Sequence, residues 1–238
     1  MRLDQYLVEQ GMVPTRSRAQ LLIKDGAVSV NGTPTQKPSL SVTSTDQVLV
    51  RDSIKYVSRA GLKLEHALEL FDINPTGLSC LDVGSSTGGF TDCLLQRNAA
   101  HVDCVDVGTD QLSPKLRTDK RVSVFEQTDI RRFDSTTTYN LIVCDASFIS
   151  LAKLAQSFRK FSHLGTQLIV LIKPQFEVGK GNLNRQGIVT DPTIRNDATQ
   201  AAVQAIIDEG FNLEQPIQPS PITGGDGNVE YVAYFTKS

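Results

Sequence analysis

The residues from Leu81 to Asp92 read L-D-V-G-S-S-T-G-G-F-T-D and carry the clearest structural signal of the sequence. An apolar pair typical of a buried strand leads into a glycine-rich turn, and a helix can begin directly after that turn. In an open sheet of parallel strands, ligands bind beyond the carboxyl ends of the strands. The stretch therefore predicts a strand, a turn and a helix that border a ligand site.

Alternating strand and helix patterns continue around this stretch from residue 58 onward. Strands are predicted at residues 78–83, 102–107, 122–125, 141–144 and 168–172, and helices at residues 58–71, 151–161 and 193–209. Such alternation is typical of a parallel sheet covered on both faces. The last strand candidates, residues 211–218 and 228–235, have no helix between them. They predict an antiparallel pair that closes the sheet edge.

The first fifty residues follow a different pattern. Apolar residues recur at helical spacing up to Gly11, and Thr15 is a candidate N-cap for a second helix that stops at Gly26. A short strand then ends in an Asn-Gly hairpin signal, and a partner strand is expected at residues 47–50. The predicted organisation is a small α+β domain over residues 1–50, a linker over 51–57 and an α/β domain over 58–238.

The composition is that of an ordinary folded protein. Of the 238 residues, 39% are hydrophobic and 21% are charged, and the formal net charge of −2 argues against coating nucleic acid by bulk electrostatics. The longest apolar run, residues 168–172, is far shorter than the roughly 20 residues of a membrane span. The first residues lack the apolar core of a secretion signal. We therefore expect a cytoplasmic protein without a membrane segment.

The four cysteines are widely spaced and form no C-x-x-C pair. They are Cys80, Cys93, Cys104 and Cys144, and three of them fall in apolar, strand-like segments. This pattern favours buried, reduced thiols over disulfides or a zinc site. No metal site is expected.

The spacing of the glycine turn disfavours the familiar phosphate-binding loops. A dinucleotide fingerprint needs G-x-G-x-x-G, and the turn reads Gly84-Ser85-Ser86-Thr87-Gly88-Gly89. A P-loop needs a lysine after its last glycine, and Phe90 stands there. A nicotinamide-dependent oxidoreductase is disfavoured for the same reason. A plain tight connection between strand and helix remains an alternative.

Acidic residues at three consecutive strand ends favour a nucleoside ligand. Asp82 lies just before the turn, Asp106 ends the next strand and Asp129 ends the third. A carboxylate at Asp106 can accept hydrogen bonds from both ribose hydroxyls, and Asp129 can meet an adenine edge. Because the turn carries no basic residue, the site suits a positively charged nucleoside such as S-adenosylmethionine. The expected cofactor-binding residues are Asp82, Gly84, Ser85, Ser86, Thr87, Gly88, Gly89, Phe90, Asp106 and Asp129.

Charged residues at the ends of other elements indicate what is methylated. The place after the fourth strand reads D-A-S-F, without the Asn/Asp-Pro-Pro-aromatic turn of enzymes that methylate exocyclic amines of bases. A Pro-Cys pair for carbon methylation of pyrimidines is also missing. The chain offers Lys63, Asp145, Lys173 and Glu230 at element ends. Lys173 follows the longest apolar run, where its charge is costly to bury.

Motifs distributed over nearly the whole length resemble those of one family. They read T-R-S-R-A-Q-L-L-I-K-D-G-A-V-S-V-N-G, Y-V-S-R-A-G-L-K-L, L-D-V-G-S-S-T-G-G-F-T-D, C-D-A-S-F-I-S, L-I-K-P-Q-F-E-V-G and N-V-E-Y. The chain is similar to the TlyA family, in which an S4-type (alpha-L) RNA-binding module precedes an FtsJ-like methyltransferase domain. The resemblance implies a Rossmann-like sheet with an antiparallel last strand, S-adenosylmethionine as cofactor and ribosomal RNA as substrate. Thr87 replaces a proline frequent in FtsJ itself.

The resemblance also implies a catalytic set. FtsJ-like enzymes use Lys-Asp-Lys-Glu to methylate the ribose 2′-hydroxyl, and Lys63, Asp145, Lys173 and Glu230 are the matching positions. A ribose hydroxyl needs a base because it is a poor nucleophile at neutral pH. We expect Lys173 to activate the hydroxyl, Asp145 to orient Lys173, Lys63 to stabilise the developing alkoxide, and Glu230 to hold Lys63 or the ribose. The last two roles are interchangeable.

Basic residues outside this set are candidates for RNA contact. Arg16, Arg18 and Lys24 lie around the second helix, and Lys37 follows the hairpin; Lys180 and Arg185 lie in the loop after Lys173. Such contacts position RNA without reading its sequence. The loop is either a clamp that orders on RNA or simply a long loop. The expected partners are ribosomal RNA or ribosomal subunits, with no membrane and no obligate protein partner. Two alternatives are a cytolysin, since some TlyA relatives are labelled haemolysin, and a non-catalytic RNA-binding protein.

Overall fold

Two hydrophobic clusters divide the chain into two units. The computed structural model describes residues 1–13, 15–24, 26–50, 55–224 and 227–238, without the side chains of residues 17, 21, 24 and 180. The units are Met1–Arg59 and Ala60–Ser238, and each has its own core. The linker predicted at residues 51–57 lies partly outside the described residues, because 51–54 are not described.

The first unit contains the two helices and the hairpin that the sequence predicts. Its elements are α1 (Leu3–Glu9), α2 (Arg16–Lys24), β1 (Val28–Val30), β2 (Thr33–Thr35) and β3 (Val48–Val50). The Asn31-Gly32 turn has φ values of 51° and 79°, the left-handed conformation of a tight hairpin. It connects β1 to β2, a polar strand that the sequence analysis missed, and β3 pairs with the other side of β1.

The second unit alternates strands and helices. The helices are α3 (Ala60–Leu70), α4 (Gly89–Gln96), α5 (Pro114–Arg117), α6 (Ala155–Lys160), α7 (Pro174–Glu177) and α8 (Pro192–Ile207). The strands are β4 (Ser79–Val83), β5 (His101–Val105), β6 (Val122–Phe125), β7 (Tyr139–Cys144), β8 (Ser162–Ile172), β9 (Phe211–Leu213), β10 (Gln218–Pro219) and β11 (Tyr231–Lys237). Single 3₁₀ turns occupy Ile130–Arg132, Leu151–Lys153 and Lys180–Asn182.

The strands of this unit form one mostly parallel sheet. In the described residues its order is β10-β11-β8-β7-β4-β5-β6, and β9 also pairs with β11. Strands β4 to β8 pair in parallel, whereas β11 runs antiparallel to β8. The predicted α/β class and antiparallel last strand are confirmed: the sheet is Rossmann-like. Because β4 lies between β5 and β7, the strand order reverses at its carboxyl end, where a ligand crevice is expected.

Two predicted elements are interrupted in the structure. The helix predicted at residues 151–161 is a 3₁₀ turn followed by α6, and Ser150 caps that turn by accepting a hydrogen bond from the Ala152 amide. The strand predicted at 211–218 is divided into β9 and β10. Pro216 lies between them and has no N–H to donate to a strand ladder.

The core of the second unit is apolar on both faces of the sheet. All four cysteines are buried as free thiols, and burial raises the pKa of Cys80 and of Cys144 to about 12.

Among the described residues, no helix combines the length and the apolar character that crossing a membrane requires.

Candidate active site

The glycine turn brings two loops of the second unit together. Gly84 follows β4 with a φ of 80°, in the left-handed region that favours glycine. A Cβ atom at this position would lie 2.9 Å from the Ala146 Cα atom. The turn therefore contacts the backbone of the loop after β7 in a way that a larger residue would prevent.

Asp82 supports the turn from beneath it. The side chain is fully buried, and its Oδ2 atom accepts hydrogen bonds from the Thr91 amide at 3.0 Å and the Thr91 hydroxyl at 2.6 Å. Because the N-cap residue Gly88 has no side chain, Asp82 caps α4 in its place. Burial raises the pKa of Asp82 to about 7. Its Oδ1 atom has no hydrogen-bond partner among the described residues.

A cleft of about 490 Å³ opens at the carboxyl ends of β4, β5, β6 and β7. Four of the predicted cofactor-binding residues line it: Gly84, Ser86, Asp106 and Asp129. The lining residues Val107, Gly108, Gln111, Ala146, Ser147 and Phe148 were not predicted for this role. The other predicted residues do not line the cleft. Thr87 is exposed, and the rest are buried: Asp82, Ser85, Gly88, Gly89 and Phe90.

Asp106 joins the glycine turn to the loop after β5. Its Oδ2 atom accepts a hydrogen bond from the Ser86 amide at 2.8 Å, and its Oδ1 atom accepts one from the Gly108 amide at 2.7 Å. Each carboxylate oxygen keeps further acceptor capacity for a ligand hydroxyl.

Two other carboxylates shape the cleft wall. Asp129 caps a 3₁₀ turn and forms an ion pair with Arg131 at 2.5 Å, which holds the pKa of Asp129 below its usual range. Glu126 accepts hydrogen bonds from the backbone amides of residues 110, 111 and 112 and pairs with Arg117 at 2.6 Å. These contacts lower the pKa of Glu126 to about 2. Glu126 therefore fixes the loop that carries Gln111 into the cleft.

The four expected catalytic residues form two ion pairs. The Lys63 Nζ atom lies 2.5 Å from Glu230 Oε2, and the Lys173 Nζ atom lies 2.7 Å from Asp145 Oδ1. Tyr231 pairs with Ile172 in the ladder between β11 and β8. Glu230 precedes Tyr231 and Lys173 follows Ile172, so these two residues are cross-strand neighbours. Both ion pairs therefore lie at the carboxyl end of β8. The structure thus brings together residues up to 167 positions apart.

The two lysines are nearly enclosed. Lys63 is 9% exposed, Lys173 is 7% exposed and Glu230 is 4% exposed. Besides its ion pair, Lys173 donates hydrogen bonds to the Asp145 carbonyl at 3.1 Å and the Ser147 hydroxyl at 2.8 Å. Two N–H groups of the ammonium therefore have hydrogen-bond acceptors, and the Asp145 carboxylate supplies the opposite charge. Since Asp145 also lines the cleft, the Lys173 pair borders the candidate cofactor site.

Phe148 is an exposed aromatic residue at the mouth of the cleft. Its side chain is 90% exposed, and its φ of 64° is unusual for a bulky residue. The ring lies 5.0 Å from the ring of Phe176 on α7. The sequence signal for Phe148 was the D-A-S-F turn directly after a buried strand, which was used above to disfavour methylation of base amines and as part of a family motif, but not to give Phe148 a role.

A buried carboxylate of the first unit holds two arginines, Arg2 and Arg16. Asp4 is fully buried and accepts hydrogen bonds from the side chains of Arg2, Arg16 and Gln20. These contacts hold the pKa of Asp4 well below its usual range. Arg18 instead donates to the Val57 carbonyl.

The remaining predicted RNA-contact residues divide into described and undescribed side chains. Lys37 and Arg185 are exposed, whereas the side chains of Lys24 and Lys180 lie outside the described residues. In the loop near Arg185, the Val189 amide donates to Asn228 Oδ1, and Asn228 Nδ2 donates to the Gly187 carbonyl. Part of the predicted clamp is therefore bonded to the segment that precedes Glu230.

Comparison with known proteins agrees with both units. The S4 domain family matches residues 1–48, and the family described as FtsJ-like methyltransferase matches residues 56–237. At low sequence identity, the fold of a solved S-adenosylmethionine-dependent methyltransferase from Mesorhizobium loti is similar. It is 12% identical with a TM-score of 0.56, and the match covers 74% of this chain and 98% of that one.

Full-length relatives share both units. Hemolysin A of Brachyspira hyodysenteriae is 42% identical, and the match covers 99% of each chain. The 16S/23S rRNA (cytidine-2′-O)-methyltransferase TlyA of Mycobacterium tuberculosis is 41% identical, over 98% of this chain and 89% of the relative. A solved hemolysin-like chain from Streptococcus thermophilus is 36% identical with a TM-score of 0.78, covering 100% of this chain and 88% of that one. The chain therefore belongs to the TlyA family of FtsJ-like methyltransferases, with an S4 domain ahead of the methyltransferase domain.

Proposed function

We propose that the protein uses S-adenosylmethionine to methylate the ribose 2′-hydroxyl of a nucleotide in ribosomal RNA. The observation that carries the proposal is the presence of two enclosed ion pairs, Lys63 with Glu230 and Lys173 with Asp145, of which the second borders the cleft through Asp145. Relatives that match over nearly the whole length are named rRNA (cytidine-2′-O)-methyltransferases.

The cleft fits an adenosine-type cofactor. Its volume of about 490 Å³ is within the range of small-molecule sites. Gly84 lets the turn after β4 lie against the backbone of Ala146, and both residues line the cleft. Asp106 offers acceptors for ribose hydroxyls. Ser86 and Asp129 complete the set of residues that would hold the cofactor. S-adenosylmethionine would supply an electrophilic methyl group on a sulfonium.

Lys173 is the residue that we assign to the hydroxyl proton. In its amine form, the Nζ atom accepts the proton of the 2′-hydroxyl while the ribose oxygen attacks. Asp145 and Ser147 then hold the resulting ammonium through the ion pair and the two hydrogen bonds at Nζ. Asp145 therefore orients the base and stabilises the charge that it gains.

Lys63 supplies positive charge for the developing alkoxide. A preorganised cation in an enclosed site stabilises such charge more strongly than water does. Of the two roles considered for Glu230, its 2.5 Å contact favours holding Lys63 over binding the ribose.

The basic residues outside the cleft are assigned to RNA. In the S4 domain, the exposed side chains of Arg16 and Lys37 would contact phosphates, together with Arg18 and Lys24. In the methyltransferase domain, Lys180 and Arg185 would contact the strand that enters the site. Because the net charge is only −2, RNA affinity depends on these local groups.

Mapping of the methyl group tests the proposal. Purified protein is incubated with tritiated S-adenosylmethionine and either ribosomal RNA or ribosomal subunits from cells that lack this protein. We expect label on ribose, recovered in dinucleotides that resist alkaline hydrolysis because the 2′-oxygen is blocked. Label on a base would contradict the assigned reaction. No transfer to either substrate would favour the non-catalytic alternative.

A further inference from the structure

Glu177 is a half-buried carboxylate that the proposed chemistry does not use. It is the last residue of α7, the short helix that begins directly after Lys173. Burial raises the pKa of Glu177, so the position penalises the charged form. A glutamate at such a position is expected to make specific contacts.

Both carboxylate oxygens of Glu177 bind the loop after β7. The Oε2 atom accepts a hydrogen bond from the Ser150 hydroxyl at 2.5 Å, and the Oε1 atom accepts one from the Leu151 amide at 2.9 Å. Ser150 in turn caps the 3₁₀ turn that follows. Glu177 therefore fixes the point where this loop enters the next element.

The opposite end of the same loop carries the catalytic pair. Lys173 contacts Asp145 and Ser147 there, and the ring of Phe148 packs near that of Phe176. The loop of residues 145–151 is thus attached to the segment 173–177 at its start, middle and end. Only the attachment by Glu177 lies outside the groups that would meet substrate or cofactor.

We propose that Glu177 is a positioning residue that clamps loop 145–151 to α7 and so keeps Asp145 in register with Lys173. The expected effect of this clamp on rate presupposes the proposed methyl transfer. Enzymes lose rate when reacting groups shift by small distances, because orientation contributes to the barrier. Loss of the clamp should therefore slow the chemical step more than it weakens cofactor binding, because the cleft is also lined by the loops after β4, β5 and β6, whereas Glu177 bonds the loop after β7.

Three variants test the clamp. Glu177→Ala removes both acceptors, and Glu177→Gln keeps an oxygen for the Leu151 amide and an N–H for the Ser150 oxygen. Glu209→Ala is the control, because Glu209 pairs with Arg159 outside the cleft. The readouts are single-turnover methyl transfer to ribosomal RNA, S-adenosylmethionine affinity by calorimetry, and amide hydrogen exchange of the 145–151 segment.

We expect Glu177→Ala to lower the single-turnover rate by about tenfold or more, with cofactor affinity changed by less than about threefold. Hydrogen exchange in the 145–151 segment should become faster. Glu177→Gln should recover most of the rate and the protection, and Glu209→Ala should match the unmodified protein. Ser150→Ala, which removes one of the two bonds, should give an intermediate rate and serves if Glu177→Ala does not fold.

The clamp is overturned if Glu177→Ala exchanges and reacts like the unmodified protein. It is also overturned if Glu177→Gln is as slow as Glu177→Ala, since a carboxylate charge would then be what matters. Failure of the proposed function is distinguishable, because the unmodified protein would transfer no methyl group while the exchange comparison still reports on the clamp.

Discussion

Lys173 combines a nearly buried position with one ion pair and two hydrogen bonds to a single loop. Its partners are the side chain and carbonyl of Asp145 and the hydroxyl of Ser147. A lysine enclosed in this way is held in one orientation, which is what a base needs for directed proton transfer. Phe148, beside it, is the opposite case, since an apolar ring is exposed to solvent in an unusual backbone conformation. Exposed aromatic rings near RNA sites stack on unpaired bases.

Removal of the Phe148 ring should weaken productive RNA binding. We expect Phe148→Ala to raise the RNA concentration needed for half-maximal rate by about tenfold or more, because stacking contributes about 1–3 kcal/mol per base. Phe148→Tyr, which keeps an aromatic face, should stay close to the unmodified protein. The measurement is methyl transfer as a function of RNA concentration at saturating cofactor. Equal behaviour of the alanine and tyrosine variants would contradict a stacking role.

The pairing of Asp145 with Lys173 was expected from the sequence, whereas Glu230 was expected to hold either Lys63 or the ribose. The sequence predicts Lys63, Asp145, Lys173 and Glu230 because each stands at the end of an element or in a family motif. That Lys63 bonds Glu230 depends on the packing of α3 against the sheet edge. Glu177 was not identified, because its role depends on two loops meeting in space.

Two carboxylates of the methyltransferase domain fix the elements and loops around the cleft by accepting hydrogen bonds from their backbone N–H groups. Asp82 on β4 caps α4, and Glu126 after β6 binds the loop that follows β5. The strands and the antiparallel edge were predictable from periodicity. Strand β2 was missed because its sequence T-P-T is polar and contains proline.

Asp82 should make the stability of the domain fall as pH rises from about 4 to about 7. Its pKa is raised from the ordinary value of 3.8 to about 7, so the folded state binds more protons than the unfolded state in this window. We expect the melting temperature of Asp82→Asn minus that of the unmodified protein to be higher at pH 8 than at pH 4, because only the unmodified protein loses stability as Asp82 ionises. Calorimetry across this range is the measurement. A constant difference would mean that Asp82 does not titrate in this window.

Substitution of Glu126 should weaken the binding of S-adenosylmethionine rather than slow the chemical step. Glu126→Gln replaces one carboxylate oxygen by an NH₂ group and removes the charge that pairs with Arg117, so it should loosen the loop that carries Gln111. We expect S-adenosylmethionine affinity to fall by about tenfold, with a near-normal rate at saturating cofactor. Asp119→Asn is the control, since Asp119 pairs with Arg121 away from the cleft. A similar loss in both variants would indicate a general effect on stability.

The whole molecule joins two units that have separate cores. The S4 domain packs its own helices around Leu3, Leu7 and Ile23, and the methyltransferase domain packs around its sheet. The division of the chain into an α+β and an α/β part was predictable, because periodicity and composition change near residue 58. The contacts of Asp4 with Arg2 and Arg16 could not be predicted, because they depend on how α1 and α2 pack around a buried carboxylate.

Removal of the S4 domain should separate RNA binding from cofactor binding. A protein that begins at Lys55 should bind S-adenosylmethionine within about threefold of the full chain but lose RNA affinity by about tenfold or more, because phosphate contacts dominate RNA affinity. Calorimetry with the cofactor and filter binding with ribosomal RNA measure the two affinities at one fixed salt concentration. Unchanged RNA binding by the shortened protein would place the RNA contacts elsewhere.

Single-turnover methyl transfer by Lys173→Ala at saturating S-adenosylmethionine tests whether Lys173 is the base. Lys120→Ala is the control, because Lys120 is exposed before β6, at the opposite edge of the sheet. We predict that Lys173→Ala loses about a hundredfold or more in rate while its cofactor affinity stays within about threefold, and that Lys120→Ala loses nothing. A Lys173→Ala protein that methylates ribose at the normal rate would contradict the account.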